Sequence, residues 1–289
     1  MAYALPVDID ARPIAIDGAG TLGRRIASVY AAGGTDVRIF DLSSDQRDAA
    51  VSYAAEQIEH VRKLLDLDGS ATGRVTASDD LARAVRGAWM VIEAVPERVE
   101  LKRDVFGQLD ELAEPDAILA SNSSSIPTSQ MIDKVKHPER VLNTHYQQPP
   151  EQNSVELMSC GRTDEGLINA LMSKIPQYGL VPFHVRRESD GFIFNRVWAA
   201  IKRECLMVVD EGVATPEDID AMWNIFVAAG IPPFRLMDSV GLDVVLNIEE
   251  HYASVRAGLS EEPRKLLHEM IDEGRLGVKS GRGFYDYAS

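Results

Sequence analysis

The 289-residue chain reads as an α/β protein, a doubly wound sheet followed by an all-helical C-terminal domain. Three observations predict this. Apolar runs of strand length alternate with helical stretches through roughly the first 187 residues, the pattern of parallel strands joined by crossover helices. The segment IAIDGAGTLG, from Ile14 to Gly23, places Gly18, Gly20 and Gly23 where a buried strand should turn into a helix. From Ser189 onward the strand-like runs stop and only helical periodicity remains.

Taken in order, PIAID is the first strand, and the helix after the glycines carries Leu22, Ile26, Val29 and Tyr30 on its apolar face. DVRIF, closed by Asp41, is the second strand, and helices follow over 44–67 and 99–112. WMVIEAV, AILAS, VLNTH, SVELMS and LVPFHV supply later strands. Ligands of such sheets bind at the carboxyl ends of the strands, where Glu93, Ser121 and His145 fall. In the second part, 191–212 reads as one long helix with apolar Val197, Trp198, Ile201, Leu206, Val208 and Val209. Thr215-Pro216-Glu217-Asp218 opens the next with a capping threonine, a first-turn proline and acids facing the helix dipole. DSVGLDVVLNIEEHYASV and EPRKLLHEMIDEG add two more. The expected domains are 1–188 and 189–289, with no internal repeat or low-complexity tract.

The glycine spacing carries chemistry. In a turn of this kind the first glycine allows the tight bend, the second lets backbone approach a pyrophosphate, and the third lets helix pack on strand. The N–H groups at the new helix start, at Thr21 and Leu22, then face the phosphate charge. Asp41 lies 21 residues beyond Gly20, about where a carboxylate grips the ribose 2′-hydroxyl of NAD. A Rossmann-type dinucleotide fold follows, with NAD rather than NADP, because Asp41 repels a 2′-phosphate and Leu42, Ser43 and Ser44 offer no arginine. Asp17 fits badly: a carboxylate beneath the diphosphate weakens binding unless it is neutralised or points aside, and the alternative is a solvated strand end.

Composition narrows the partners. The chain is 45% hydrophobic and 26% charged, with a formal net charge of −15. No basic face or tail favours nucleic acid or anionic membrane. Cys160 and Cys205 suit small buried apolar residues in a reducing compartment rather than a disulfide framework. The start, MAYALPVDIDARP, has acids where a secretory peptide needs basic residues, and no run is long enough to span a bilayer. The expected location is cytoplasmic.

Four polar positions follow the nucleotide fold: Ser124 in SNSSS, His145 closing VLNTH, Glu156 in SVELM and Asn195 in DGFIFNR. Singly, each has a structural alternative: a turn, a satisfied core histidine, a solvated strand residue, a helix cap. Together, GAGTLG with Asp41, EAVPE, SNSSS, NTHYQQPP, VELM, GFIFNR, LMDSVGLD and KSGRGFYDY resemble the L-3-hydroxyacyl-CoA dehydrogenase family, from about Pro13 to Tyr287. That family includes relatives acting on free hydroxy acids, such as L-gulonate and carnitine. The resemblance implies that Ser124 bonds substrate near the nicotinamide, His145 is the base and Glu156 orients it. It further implies that Asn195 reaches into the site from the helical domain, and that Ala94, Glu97, Lys102 and Lys279 lie along the cofactor.

The reaction needs these residue types on its own terms. Oxidising an alcohol with NAD removes hydride from carbon and a proton from oxygen, and histidine titrates near neutrality. A carboxylate on its other nitrogen fixes the tautomer and favours the imidazolium. No clustered metal-ligand set appears and none is needed.

Two departures bear on the substrate. Where the family writes HxxNP, this chain has His145-Tyr146-Gln147-Gln148-Pro149, so Gln148 replaces an asparagine beside nicotinamide and substrate, on an arm longer by one methylene. The stretch 44–80 holds Arg47, Arg62, Lys63 and Arg74 against eight acids, a net of −4, which is a poor surface for the phosphates of CoA. A thioester and a small free 3-hydroxy acid are both candidates, the latter with Arg196, Lys202 or Arg235 as a carboxylate partner. A non-catalytic NAD-binding protein is the third reading, and it would not need Ser124, His145, Glu156 and Asn195 together. The apolar surplus of the helical domain (Trp198, Met207, Trp223, Phe226, Val227, Val244, Val245, Leu246) predicts a homodimer.

Overall fold

The computed structural model describes residues 3–67, 71–227 and 232–287. The chain forms two compact units, one through Ile193 and one from Phe194 onward. The first contains strands β1 (Ile14–Asp17), β2 (Val37–Phe40), β3 (Val75–Ser78), β4 (Met90–Glu93), β5 (Ile118–Ser121), β6 (Val141–Gln148), β7 (Gln152–Ser159) and β8 (Val181–Val185). With them are helices α1 (Thr21–Ala32), α2 (Ser44–Leu64), α3 (Leu81–Val85), α4 (Val99–Leu112) and α5 (Glu165–Lys174).

One eight-stranded sheet runs in the order β3-β2-β1-β4-β5-β6-β7-β8. Chain order reverses between β1 and β4, and a ligand crevice opens at such a switch point. Every residue of β1, β4 and β5 is buried, which accounts for their unbroken apolar runs. Ile14, Ile16 and Ile92 pack under Ile26 and Tyr30 of α1 on one face. Ala15, Val91 and Leu119 pack under Val105, Phe106 and Leu109 of α4 on the other. The parallel register aligns Phe40, Asp17, Glu93 and Ser121 in one row at the carboxyl ends of their strands, with Asn143 near the start of β6 beside Ser121.

Two features of this sheet differ from the sequence reading. Strand β6 does not stop at His145 but runs on to Gln148, because it pairs antiparallel with β7 across the short turn at Pro149, Pro150 and Glu151. A connection that short cannot make a parallel crossover. The strand β3 was not among the apolar runs because it is a partly exposed edge strand of mixed composition.

The second unit contains α6 (Phe194–Asp210), α7 (Pro216–Phe226), α8 (Pro233–Val240), α9 (Leu242–Val255) and α10 (Glu262–Asp272) around Leu206, Phe234, Met237, Leu242 and Leu267. Thr215 and Asp218 form a reciprocal capping box at α7. The expected single helix over 238–255 is broken at Gly241, whose φ of 102° ends α8 and starts α9. The helix expected from Gly191 starts at Phe194, because Gly191 and Phe192 have φ of 70° and 50°. Asp238, fully buried in α8, accepts from the backbone N–H of Phe284 (2.9 Å) and Tyr285 (3.0 Å) and from the Tyr287 hydroxyl (3.0 Å). A Cβ at Gly283 would lie 2.0 Å from its Oδ1, so the closing KSGRGFYDY segment is shaped by this docking.

Candidate active site

The glycine turn has the shape that a dinucleotide requires. Gly18 has φ of 116°, and a Cβ there would meet the Ala94 carbonyl oxygen at 2.5 Å. A Cβ at Gly23 would lie 1.9 Å from the Gly18 carbonyl oxygen, so this glycine lets α1 close on β1. A Cβ at Gly20 would meet no protein atom within 4 Å: the space above the second glycine is open, as the approach of a pyrophosphate demands. Gly20 caps α1 without a side chain and no acid stands in the first turn, so the helix start at Thr21 and Leu22 offers its N–H groups to an anion. Asp41 braces the turn, its carboxylate accepting from the N–H of Ala19 at 2.8 Å and of Ser43 at 2.9 Å.

Asp17 is not a solvated strand end. It is 5% exposed. Burial first, then the neighbouring Glu93 and Asp41, push its carboxyl up to about 7, against a smaller opposing pull from Lys102. Below neutral pH the group is therefore largely protonated, which eases the conflict with a diphosphate.

A second cluster organises the serine loop. Glu93 and Lys102 are buried and paired at 2.6 Å, and the Ser121 hydroxyl donates to the other Glu93 oxygen at 2.6 Å. Lys102 also pairs with Glu97 at 3.2 Å. Oε1 of Glu97 accepts from the Ser123 and Ser125 hydroxyls and from the backbone N–H of Ser124 and Ser125. Burial opposes the charge of Glu97, but Lys102 and the serine hydroxyls outweigh it and hold the carboxyl below its usual range. Ser124 itself is exposed.

The third cluster is the histidine pair. His145 and Glu156 face each other across β6 and β7, with Nδ1 2.7 Å from Oε2, and both are buried. Glu156 is therefore not a solvated strand residue, and His145 is a buried histidine satisfied at Nδ1. The backbone N–H of Ile193 donates to Oε1 of Glu156 at 2.8 Å, and the Gln147 amide reaches Oε2 at 3.4 Å. Phe192 stacks on the imidazole, centroids 5.2 Å apart and planes at 27°. A phenylalanine with φ of 50° is strained backbone, retained where the surroundings demand it. Sequence reasoning missed Phe192, Ile193 and Gln147; their signal lay in Gly191 and in the extra residues of β6. Gln148, expected beside the cofactor, is exposed at the end of β6.

In the second unit, Asn195 is the second residue of α6, and Lys279 pairs with Asp243. Of the cations considered for a carboxylate substrate, Lys202 is buried and 3.7 Å from Glu249, which Arg203 also pairs at 3.2 Å. Arg235 lies over the Tyr285 ring, 4.2 Å from its centroid. Cys160 and Cys205 are buried and not bonded to each other. Among the described residues no group of three or more His, Cys, Asp or Glu could hold a metal, and no helix is long and apolar enough to cross a membrane.

Comparison with known proteins identifies the family. Residues 13–189 match the family described as 3-hydroxyacyl-CoA dehydrogenase, NAD binding domain, and residues 191–287 match its C-terminal domain. The chain is 33% identical over 287 residues to 5-formyl-3-hydroxy-2-methylpyridine 4-carboxylate 5-dehydrogenase of Mesorhizobium japonicum, covering 96% of this chain and 91% of that protein. It is 32% identical over 284 residues to a probable 3-hydroxybutyryl-CoA dehydrogenase of Bacillus subtilis, covering 96% and 98%. The crystal structure of (S)-3-hydroxybutyryl-CoA dehydrogenase from Ralstonia eutropha superposes with a TM-score of 0.85 at 29% identity, covering 96% of this chain and 99% of that one.

Proposed function

The chain belongs to the 3-hydroxyacyl-CoA dehydrogenase family and is an NAD-dependent oxidoreductase, and from that premise we propose that it oxidises an L-3-hydroxyacyl-CoA substrate reversibly to the 3-keto form. The observation that carries this reading is the buried His145–Glu156 pair, whose carboxylate is held at both oxygens. Glu156 accepting at Nδ1 leaves Nε2 of His145 to take the hydroxyl proton, and stabilises the imidazolium that results. NAD, when bound, accepts the hydride. Ser124 and Asn195 hold the hydroxyl or the neighbouring carbonyl by neutral hydrogen bonds. Gly18, Gly20, Thr21, Leu22 and Gly23 would hold the cofactor's pyrophosphate and Asp41 its ribose, with Ala94, Glu97, Gln148 and Lys279 lining the remainder and buried Lys102 reaching it only through Glu97. Residues 1–188 thus serve the nucleotide, and residues 189–289 serve substrate binding and a homodimer.

A second reading, the same chemistry on a small free acid, draws on the acidic stretch 44–80 and on similarity to a dehydrogenase named for a pyridine carboxylate. NADH absorbance with 3-hydroxybutyryl-CoA, free 3-hydroxybutyrate, L-gulonate and carnitine separates the two. We expect turnover of the thioester; turnover of a free acid alone would reassign the substrate class. Silence on all four with NAD still bound would overturn both substrate readings and leave an unusual substrate or a non-catalytic role.

A further inference from the structure

The serine loop is held from below by a buried cation. Lys102, 1% exposed, stands between two carboxylates that grip the loop at different points. Glu93 takes the hydroxyl of Ser121, the last residue of β5, and that hydroxyl in turn accepts the N–H of Ser123 at 3.1 Å. Glu97 gathers Ser123, Ser124 and Ser125 on a single oxygen. The Ser123 hydroxyl also accepts the N–H of Ile126 at 2.9 Å, so the turn from 121 to 126 is bonded along its length.

Electrostatics explains why one lysine suffices. Two carboxylates gathered near one another repel, and a fully buried Glu93 without a counter-charge would bear a large desolvation cost. The ammonium of Lys102 satisfies Glu93 at 2.6 Å and Glu97 at 3.2 Å at once. It also donates to the Val95 carbonyl at 3.3 Å, which ties in the segment between the two acids. Asn122 and Ile126 at its ends are also tied, to Tyr146 and Asn143, but the three serines between have little apolar surface and are held by these bonds.

We propose that Lys102 and Glu93 are positioning residues: acting through Glu97, they order the 121–126 loop and so fix Ser124 before cofactor or substrate arrives. This rests on the assignment of Ser124 to the substrate. The test is amide hydrogen exchange on the full-length protein without NAD, comparing wild type with Lys102→Met and Glu97→Ala. Because Lys102→Met strands a buried carboxylate, the Lys102→Met/Glu93→Met double variant is included; it removes both buried charges together. Exchange across 121–126 should rise by about tenfold or more in each variant, while β1 and β2 keep wild-type protection. Unchanged exchange of the loop overturns the clamp, and so does a uniform rise that includes β1 and β2.

A kinetic cycle separates this inference from the reading beneath it. If Lys102 acts through the loop, Lys102→Met combined with Ser124→Ala should be slower than the worse single variant by no more than about threefold. Losses that multiply overturn the coupling to Ser124. If Ser124→Ala alone turns over at the wild-type rate, it is the substrate role of Ser124 that falls, whatever the exchange shows.

Discussion

At the scale of single residues, two buried side chains, His145 and Asp17, bear on how this site works. On the proposed role of His145 as base, His145→Ala should lower turnover by ~10²–10⁴-fold while leaving NAD affinity almost unchanged. A variant within a few-fold of wild type would remove His145 from the reaction. Asp17 works through its proton. Its carboxyl, pushed up to about 7, binds a proton in the folded chain that an unfolded chain at the same pH has lost. The stability linked to Asp17 is therefore complete at low pH, below the usual carboxylate range, and is lost as pH rises through about 7. The same proton favours an anionic ligand. NAD affinity should weaken as pH rises through about 7, whereas Asp17→Val should bind NAD more tightly and without that decline. Calorimetry on both proteins checks this, and equal dissociation constants across the range would reject it. Asp17 shows how far residue-level reading of the chain reaches: its awkward position is legible in the string DGAG, but its raised pKa comes first from burial and then from Glu93 and Asp41 beside it, which the β1–β4 and β1–β2 pairings bring.

At the scale of elements, short segments set the geometry that the residues use. The turn from Gly191 to Ile193 does two tasks, laying Phe192 on the imidazole and turning the Ile193 N–H to Glu156. Phe192→Ala should leave NAD binding intact and lower kcat by about tenfold, since a misplaced base loses proton-transfer efficiency; steady-state kinetics beside NADH titration reads both. In the helical unit, Asp238 joins α8 to the closing segment by three hydrogen bonds from buried or half-buried donors. Asp238→Ala should destabilise that unit by about 2–4 kcal/mol, read as a lower midpoint in urea, because donors at Phe284 and Tyr285 lose their acceptor. The motifs LMDSVGLD and KSGRGFYDY were legible as a family resemblance. Their physical meaning, one docking to the other through Asp238, was not, because the partners lie 46 to 49 positions apart.

At the scale of the whole molecule, the surface bears on assembly. Met222, Ile225 and Phe226 on α7 are 59%, 75% and 79% exposed, an apolar stripe that water disfavours. Val245 and Leu246, also counted toward the apolar surplus, belong instead to the core of the helical unit. Light scattering at micromolar concentration should give a mass near twice the 31.8 kDa of one chain. A monomer mass would reject the homodimer, and Phe226→Glu should shift a dimer toward monomer.

The sequence by itself determined the α/β class, the nucleotide turn, the identity of the cofactor and the family, because each is written in local spacing: glycines at a strand end, an acid at the end of the next strand, periodicity that changes near residue 189. Tertiary structure alone decided which groups are charged, which serines are held and what steadies the histidine. Those outcomes depend on burial and on partners drawn from other strands. Lys102 meets Glu93 beneath the serine loop, and Phe192 meets His145, through distances in space that no local pattern encodes.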